Sequence, residues 1–521
     1  MAMIAYGKVL MIGTQDEDIV LKFQVKGTYW PPRLSNTTTF GSNVSFYAFN
    51  TENKLFINFN DGTGEHEYDF KTDGNLRRVY FRSKDEPTVN PNELFLKTST
   101  FDAGGYFYQD LPAEVKGTVD ATYEHFREIY IRIQYPQNVT NLYMLYTPAY
   151  GTLPSSLGKL RMLDTLSLFS LRYISFFIQD FYRSAIRQLL LSDIGDVMNN
   201  GFPKWILNSY NLSNINLQNS INLSGDPITK RLSEIDNIKD SLEILNLNST
   251  MINYKLPKSI GNLYKLKALT INDNTSPYLR LPDNFDNITE SQNLSLSLRN
   301  TRMPLSEIER ILTFNNVRVL RIETCQYSTD FTIDFDNFFL KELSIGGSNN
   351  WDSGIIPSFI MRLKGLEILH MEDQSSSSSF INLKYWRDLT GATSLSTIYL
   401  CRISNFETTI PSFFDNATAL KTLYIYASFQ NSGGVDTWIN NFYDKVTTVA
   451  SMSSGNTLLR NMTVSQVSSN VIDMANTTRP SGTYQQPSGY VQGSNNGSPA
   501  SPLERVWVLV NQYGHSWQLK P

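Results

Sequence analysis

Three apolar residues spaced L-x-x-L-x-L recur along the middle of this chain at a nearly constant interval, and no other feature limits the fold as tightly. The unit reads Leu163-Leu166-Leu168, Ile186-Leu189-Leu191, Leu212-Ile215-Leu217, Leu242-Leu245-Leu247 and Leu266-Leu269-Ile271. It resumes as Val317-Leu320-Ile322, Leu340-Leu343-Ile345, Leu366-Leu369-Met371, Leu395-Ile398-Leu400 and Leu420-Leu423-Ile425. A weaker copy, Leu296-Leu298, carries Asn293 where the first apolar residue belongs, and Val139-Leu142-Met144 and Val446-Val449 read as the first and last turns. From position 142 to position 449 the middle residue returns every 23 to 30 residues. Such a period signals stacked supersecondary units, none of which folds alone. One unit buries about four aliphatic side chains at ~1.5–3 kcal/mol each, whereas ordering its residues costs ~1–2 kcal/mol apiece. Each unit therefore needs neighbours to complete its sheet and cover its apolar edges.

Three residues beyond the last apolar position stand Ser220, Thr250, Asn274, Thr301, Cys325, Ser348 and Ser428. These are small polar side chains able to bond buried backbone as each coil turns. Between the repeats come segments such as Gly151-Thr152-Leu153-Pro154, Lys255-Leu256-Pro257, Gly354-Ile355-Ile356-Pro357 and Thr409-Ile410-Pro411. Proline suits a return path because it fixes φ and needs no hydrogen-bond partner for a donor. Together these motifs resemble leucine-rich repeats over roughly residues 136–465. The resemblance implies an α/β solenoid with a parallel β-sheet on its concave face. Only Asn274 and Cys325 match the family's preferred ladder residues, which implies a less regular ladder.

Residues 1–135 lack the period and read as short strands separated by Gly, Asn and Asp turns. Within them, Leu55-Phe56-Ile57-Asn58-Phe59-Asn60-Asp61-Gly62-Thr63 and Glu67-Tyr68-Asp69-Phe70 resemble the turn and following strand of PKD-like β-sandwiches. Asn60 replaces the family's glycine, and the stretch reads equally as an ordinary Asp-Gly hairpin. Tyr130-Ile131-Arg132-Ile133 is expected to cap the first repeat. Residues 466–502 are rich in Pro, Gly, Ser, Asn and Gln and read as a linker. Residues 503–521, with Val506-Trp507-Val508-Leu509-Val510 at their centre, read as a final β-hairpin, either packed on the repeats or anchoring a partner.

The chain's 521 residues are 41% hydrophobic and 18% charged, with a net charge of -4, so a sizeable core is available and no basic stripe points to nucleic acid. Neither a signal peptide nor an apolar run long enough for membrane insertion is found. His66, His125, His370 and His515 lie in unrelated regions without metal-ligand spacing, and no nucleophile elbow or phosphate loop is present. The expectation is therefore no catalysis, no metal and no cofactor. Cys325 and Cys401 stand three repeats apart, about 14 Å at ~4.8 Å per strand, too far for a disulfide.

Side chains alternate along a strand, so Arg321, Glu323, His370, Glu372, Tyr399, Tyr424 and Tyr426 should face outward on the late concave strands. Tyrosines beside carboxylates and amides suit a glycan or peptide groove, although a solvated face would carry the same residues. Arg479-Pro480-Ser481-Gly482-Thr483-Tyr484 and the 508–514 tail resemble the endings of leucine-rich-repeat virion proteins from Bacteroides phages, crAss-like ones included. That resemblance implies a tail- or fibre-associated adhesin in a virion, binding a host-surface glycan or protein. Its other contacts would be virion proteins or further copies of itself as a homo-oligomer. The alternative is a bacterial surface or effector repeat protein, at the cell surface or in the cytoplasm, that mediates protein–protein interaction.

Overall fold

A computed structural model describes separate strands between residues 19 and 125, most residues from 126 to 445, and then 463–466, 499, 501–513 and 516–519. The chain divides into two compact units, one of residues 1–250 and 257–265, the other of residues 251–256 and 266–521.

In the first unit the strands are β1 (Ile19–Lys26), β2 (Ser42–Ala48), β3 (Lys54–Asn58), β4 (Glu65–Asp69) and β5 (Leu76–Arg82). There follow β6 (Phe95–Thr100), β7 (Ala103–Tyr108), β8 (Phe126–Ile133), β9 (Val139–Leu145) and β10 (Ala149–Thr152). The last are β11 (Thr165–Leu171), β12 (Ile174–Ser175), β13 (Gln188–Ile194), β14 (Asn214–Asn216) and β15 (Ile244–Asn246). One sheet runs β12-β10-β1-β8-β3-β4 and is antiparallel except at β10–β12. In the other, β7, β6, β5, β2 and β9 pair antiparallel in that order. From β9 onward the pairing turns parallel through β11, β13, β14 and β15. Its register joins Leu142, Leu166, Leu189, Ile215 and Leu245 as direct partners, all fully buried. These are the middle residues of successive repeats.

The cap of the first repeat is not the strand expected from sequence. β8, which holds Tyr130-Ile131-Arg132-Ile133, lies between β1 and β3 in the other sheet. Tyr135, at φ 52°, turns the chain away from β8 toward β9. The edge of β9 is instead covered by β2, whose antiparallel ladder runs from Asn43 opposite Leu145 to Ala48 opposite Val139. A strand from elsewhere in the chain thus satisfies the edge groups that an uncapped repeat would expose. The Asp61-Gly62-Thr63 turn lies outside the described residues; its flanking strands β3 and β4 pair antiparallel, with Asn58 opposite Glu65.

The second unit holds β16 (Ala268–Thr270), β17 (Leu294–Ser297), β18 (Val317–Arg321), β19 (Glu342–Ser344) and β20 (Ile368–Glu372). It continues with β21 (Thr397–Cys401), β22 (Thr422–Tyr426), β23 (Thr463–Gln466) and β24 (Ser516–Leu519). All pair in parallel, so that Leu269, Leu296, Leu320, Leu343, Leu369, Ile398, Leu423, Val464 and Trp517 form one row. The repeat with Asn293 in its first apolar position is mended by the next residue. Leu294 is fully buried opposite Val317, and a bulge between Leu294 and Ser295 restores the register.

Two expectations at the C-terminal end are corrected. The neighbour of β22 is β23 at 463–466, not Val446–Val449, which lies outside the described residues. Residues 503–521 form no hairpin: Pro502–Tyr513 is a helix, and β24 then joins β23 in parallel. The reason is a capping box. The Ser501 hydroxyl accepts from the Glu504 amide at 3.3 Å, and the Glu504 carboxylate accepts from the Ser501 amide at 3.0 Å. With Pro502 at the first helical position, this start signal outweighs the β propensity of Val506, Val508 and Val510. Val506 and Leu509, three apart on one helical face, are fully buried. The linker residues 467–498 lie outside the described residues.

The polar ladder forms at the five of its positions that are described, while Ser348 and Ser428 lie outside the described residues. Ser220, Thr250, Asn274, Thr301 and Cys325 are all buried. Ser220 accepts from the Ile194 amide at 2.9 Å, Thr250 donates to the Leu247 carbonyl at 2.6 Å, and Thr301 donates to the Ile271 carbonyl at 2.5 Å. Asn274 donates to the Ile252 carbonyl, and the Cys325 thiol meets the Leu298 carbonyl at 3.0 Å. Just before each of Ile194, Ser220, Thr250, Asn274 and Thr301, the chain passes through the left-handed region at Asp193, Asn219, Ser249, Asp273 and Asn300, with φ between 49° and 58°. Short polar side chains bear that conformation better than branched or bulky ones.

Candidate binding face of the second unit

In each strand the middle repeat residue points into the core, so the residues on either side of it face outward. Across β17 to β21 one outward row reads Ser297, Arg321, Ser344, His370 and Tyr399, each in direct register with the next. On the other side of the middle residue, a parallel row carries Ser295, Val319, Glu342, Ile368, Thr397 and Thr422.

Four of the residues expected from sequence belong to two linked clusters. Glu323 does not face outward as expected but is nearly fully buried, because its carboxylate accepts a hydrogen bond from the Ser344 hydroxyl at 2.5 Å and pairs with Arg299 Nε at 2.6 Å. Arg299 itself follows β17, where the Asn272 carboxamide oxygen accepts both its amide and the Ser297 hydroxyl. Beside this cluster, Glu342 Oε1 lies 3.2 Å from Arg321 Nη2 and 3.4 Å from His370 Nε2. The imidazole of His370 lies flat on the Tyr399 ring, with centroids 4.4 Å apart and planes 8° apart. Parallel strands set this stack, since their in-register residues sit about 4.8 Å apart.

Glu372, Cys401 and Tyr426 are in register with one another on β20, β21 and β22, and Tyr424 follows Tyr399. The side chains of Glu372, Tyr424 and Tyr426 lie outside the described residues. Sequence reasoning passed over Arg299 and Glu342. The period-2 rule could have found Glu342, which precedes the middle Leu343 and so must share the outward face. Arg299 sits in the irregular repeat whose phase was hardest to read.

Among the described residues, no group of three or more His, Cys, Asp or Glu could hold a metal. No described helix is long and apolar enough to cross a membrane.

A buried row of mostly leucine in each unit, one parallel strand per repeat and buried polar ladder residues define a leucine-rich-repeat fold. No family model and no curated protein sequence matches the chain. Among solved structures it is similar to a leucine-rich-repeat protein of Leptospira interrogans, with 18% identity over 57% of this chain and 79% of that one and a TM-score of 0.33. An internalin of Listeria monocytogenes is 15% identical over 58% of this chain and 85% of its own, with a TM-score of 0.33. A plant peptide hormone receptor is 15% identical over 63% and 66%, with a TM-score of 0.25.

Proposed function

We infer that the chain is a non-catalytic binding protein that takes a macromolecular partner on the outward face of β17 to β22. The observation that carries this reading is the set Arg321, Glu342, His370 and Tyr399, fixed to adjacent strands and to one another by the contacts above. Arginine and tyrosine are, with tryptophan, the residues enriched at interface hot spots, and rigid strands lower the ordering cost of binding through them. In its finer form the reading is a virion adhesin, tail- or fibre-associated, that binds a glycan or protein of the host surface. Its support is the resemblance of residues 479–484 and 508–514 to the endings of phage repeat proteins. Several copies per particle would raise avidity without a tight single site.

The test has two arms. Purified chain should adhere to host cells, and Tyr399→Ala should abolish that adhesion while leaving the unfolding temperature within a few degrees. Mass spectrometry of purified particles should find the protein in the virion. Recovery in bacterial envelope fractions alone would replace the virion reading with that of a bacterial surface or effector repeat protein.

A further inference from the structure

The two ion-pair clusters are layered in one sense. Arg299 is 32% exposed above a Glu323 that is 1% exposed, and Arg321 is 40% exposed above a Glu342 that is 22% exposed. In both pairs the carboxylate lies toward the sheet and the guanidinium toward solvent. Among the described residues each guanidinium meets its carboxylate through a single nitrogen, Nε of Arg299 and Nη2 of Arg321. A guanidinium carries five N–H donors in a planar fork, so donors remain on the outer side of both. Glu323 is buried and Glu342 half-buried; each carboxylate offsets the charge of its arginine, and the groups nearest a partner are the guanidinium donors. Arg321 ends β18 and Arg299 stands two residues beyond the neighbouring β17, and the His370–Tyr399 stack continues the face on β20 and β21.

Resting on the binding face proposed above, we propose that its partner is an acidic polypeptide segment. Glu or Asp side chains of the partner dock on the outer donors of Arg299 and Arg321, and the neighbouring chain packs against the edges of His370 and Tyr399. Charge complementarity selects the anion, since carboxylates accept in the geometry the guanidinium fork presents. The aromatic pair beside the arginines favours polypeptide, because Arg and Tyr are both enriched at protein–protein hot spots.

The full chain tests this directly against a fluorescein-labelled 12-residue poly-Glu peptide by anisotropy at 50 mM salt, with polygalacturonate as a second anionic probe. Poly-Glu should bind, and Arg321→Gln should weaken it about fivefold or more, with the difference closing by 500 mM salt. Arg362→Gln, which removes the partner of Asp336 in the Pro357-led return segment, should leave binding unchanged. Three outcomes overturn the proposal: no binding of poly-Glu, binding of polygalacturonate alone, or equal loss in both variants. Host-cell adhesion separates the two levels of the reading. Adhesion that survives Arg321→Gln but not Tyr399→Ala keeps the face and rejects the acidic partner, whereas adhesion that survives both rejects the face.

Discussion

Ser344 donates its hydroxyl proton to Glu323 Oε1 at 2.5 Å, tying the end of β19 to the residue that closes the turn after β18. The second oxygen of that carboxylate pairs with Arg299, so three consecutive repeats meet at one buried charge. Removing one partner of a buried pair is costly because the other is left charged and dry. Arg299→Ala should therefore destabilise the second unit by about 1–3 kcal/mol, the lower part of the range for buried pairs because Arg299 is a third exposed. The double variant Arg299→Met with Glu323→Leu should recover most of the loss. Urea unfolding measures both, and an Arg299→Ala chain as stable as the parent would show that water already neutralises the carboxylate.

How much of this face could be read in advance depends on which rule reaches it. The leucine period placed the middle residues from Leu142 to Leu245 in the first unit and from Leu269 to Leu423 in the second in their observed registers, because a buried row tolerates no slip. Alternation alone then set Arg321, His370 and Tyr399 in one row, with Ser344 between the first two. The contacts of Glu323 were beyond reach, since its partner Arg299 belongs to a repeat whose first apolar residue is displaced by a bulge. The C-terminal helix was legible and missed: Ser501-Pro502-Leu503-Glu504 is a helix start, and a run of valines drew attention from it. The covering of β9 by β2 joins residues about 100 positions apart and carries no local signal.

Close stacking of the return segments rests on Gly365. A Cβ there would stand 2.1 Å from the Phe338 carbonyl oxygen, inside a backbone contact where Gly365 itself donates to Asn337 at 3.0 Å. Backbone cannot rotate away as a side chain can. Gly365→Ala should cost about 1–3 kcal/mol through overpacking, and Gly391→Ala, 2.4 Å from the Met361 carbonyl oxygen, should behave alike. Thermal unfolding of the two variants checks this, and an unchanged midpoint for Gly365→Ala would mean that the two segments are not in contact in solution.

The left-handed position after each of β14 to β17 makes a prediction that separates backbone from side chain at one residue. Ser249 sits at φ 52°, where a β-branched side chain costs about 1–2 kcal/mol and glycine costs no steric strain. Ser249→Val should lower stability by about that amount, whereas Ser249→Gly should leave it unchanged or raise it slightly. Equal destabilisation by both would mean that the Ser249 side chain, not its backbone, is what the turn requires.

Cys325 should be silent toward thiol reagents while the chain is folded. Its thiol takes the ladder position beneath the Leu298 carbonyl, and burial, more than any neighbour, pushes its pKa up to about 12. At pH 8 almost no thiolate forms, so iodoacetamide should label Cys325 only after unfolding, as peptide mapping would show. The linkage has a definite sign. Above pH 9 an unfolded chain releases this proton and the folded chain keeps it, so stability falls as pH rises from about 9 toward about 12. The loss should reach on the order of 1 kcal/mol by pH 10. Cys325→Ser keeps a ladder donor without the titration, and its stability should be flatter over that window than the parent's. Parallel alkaline profiles for the two proteins would remove Cys325 as the cause.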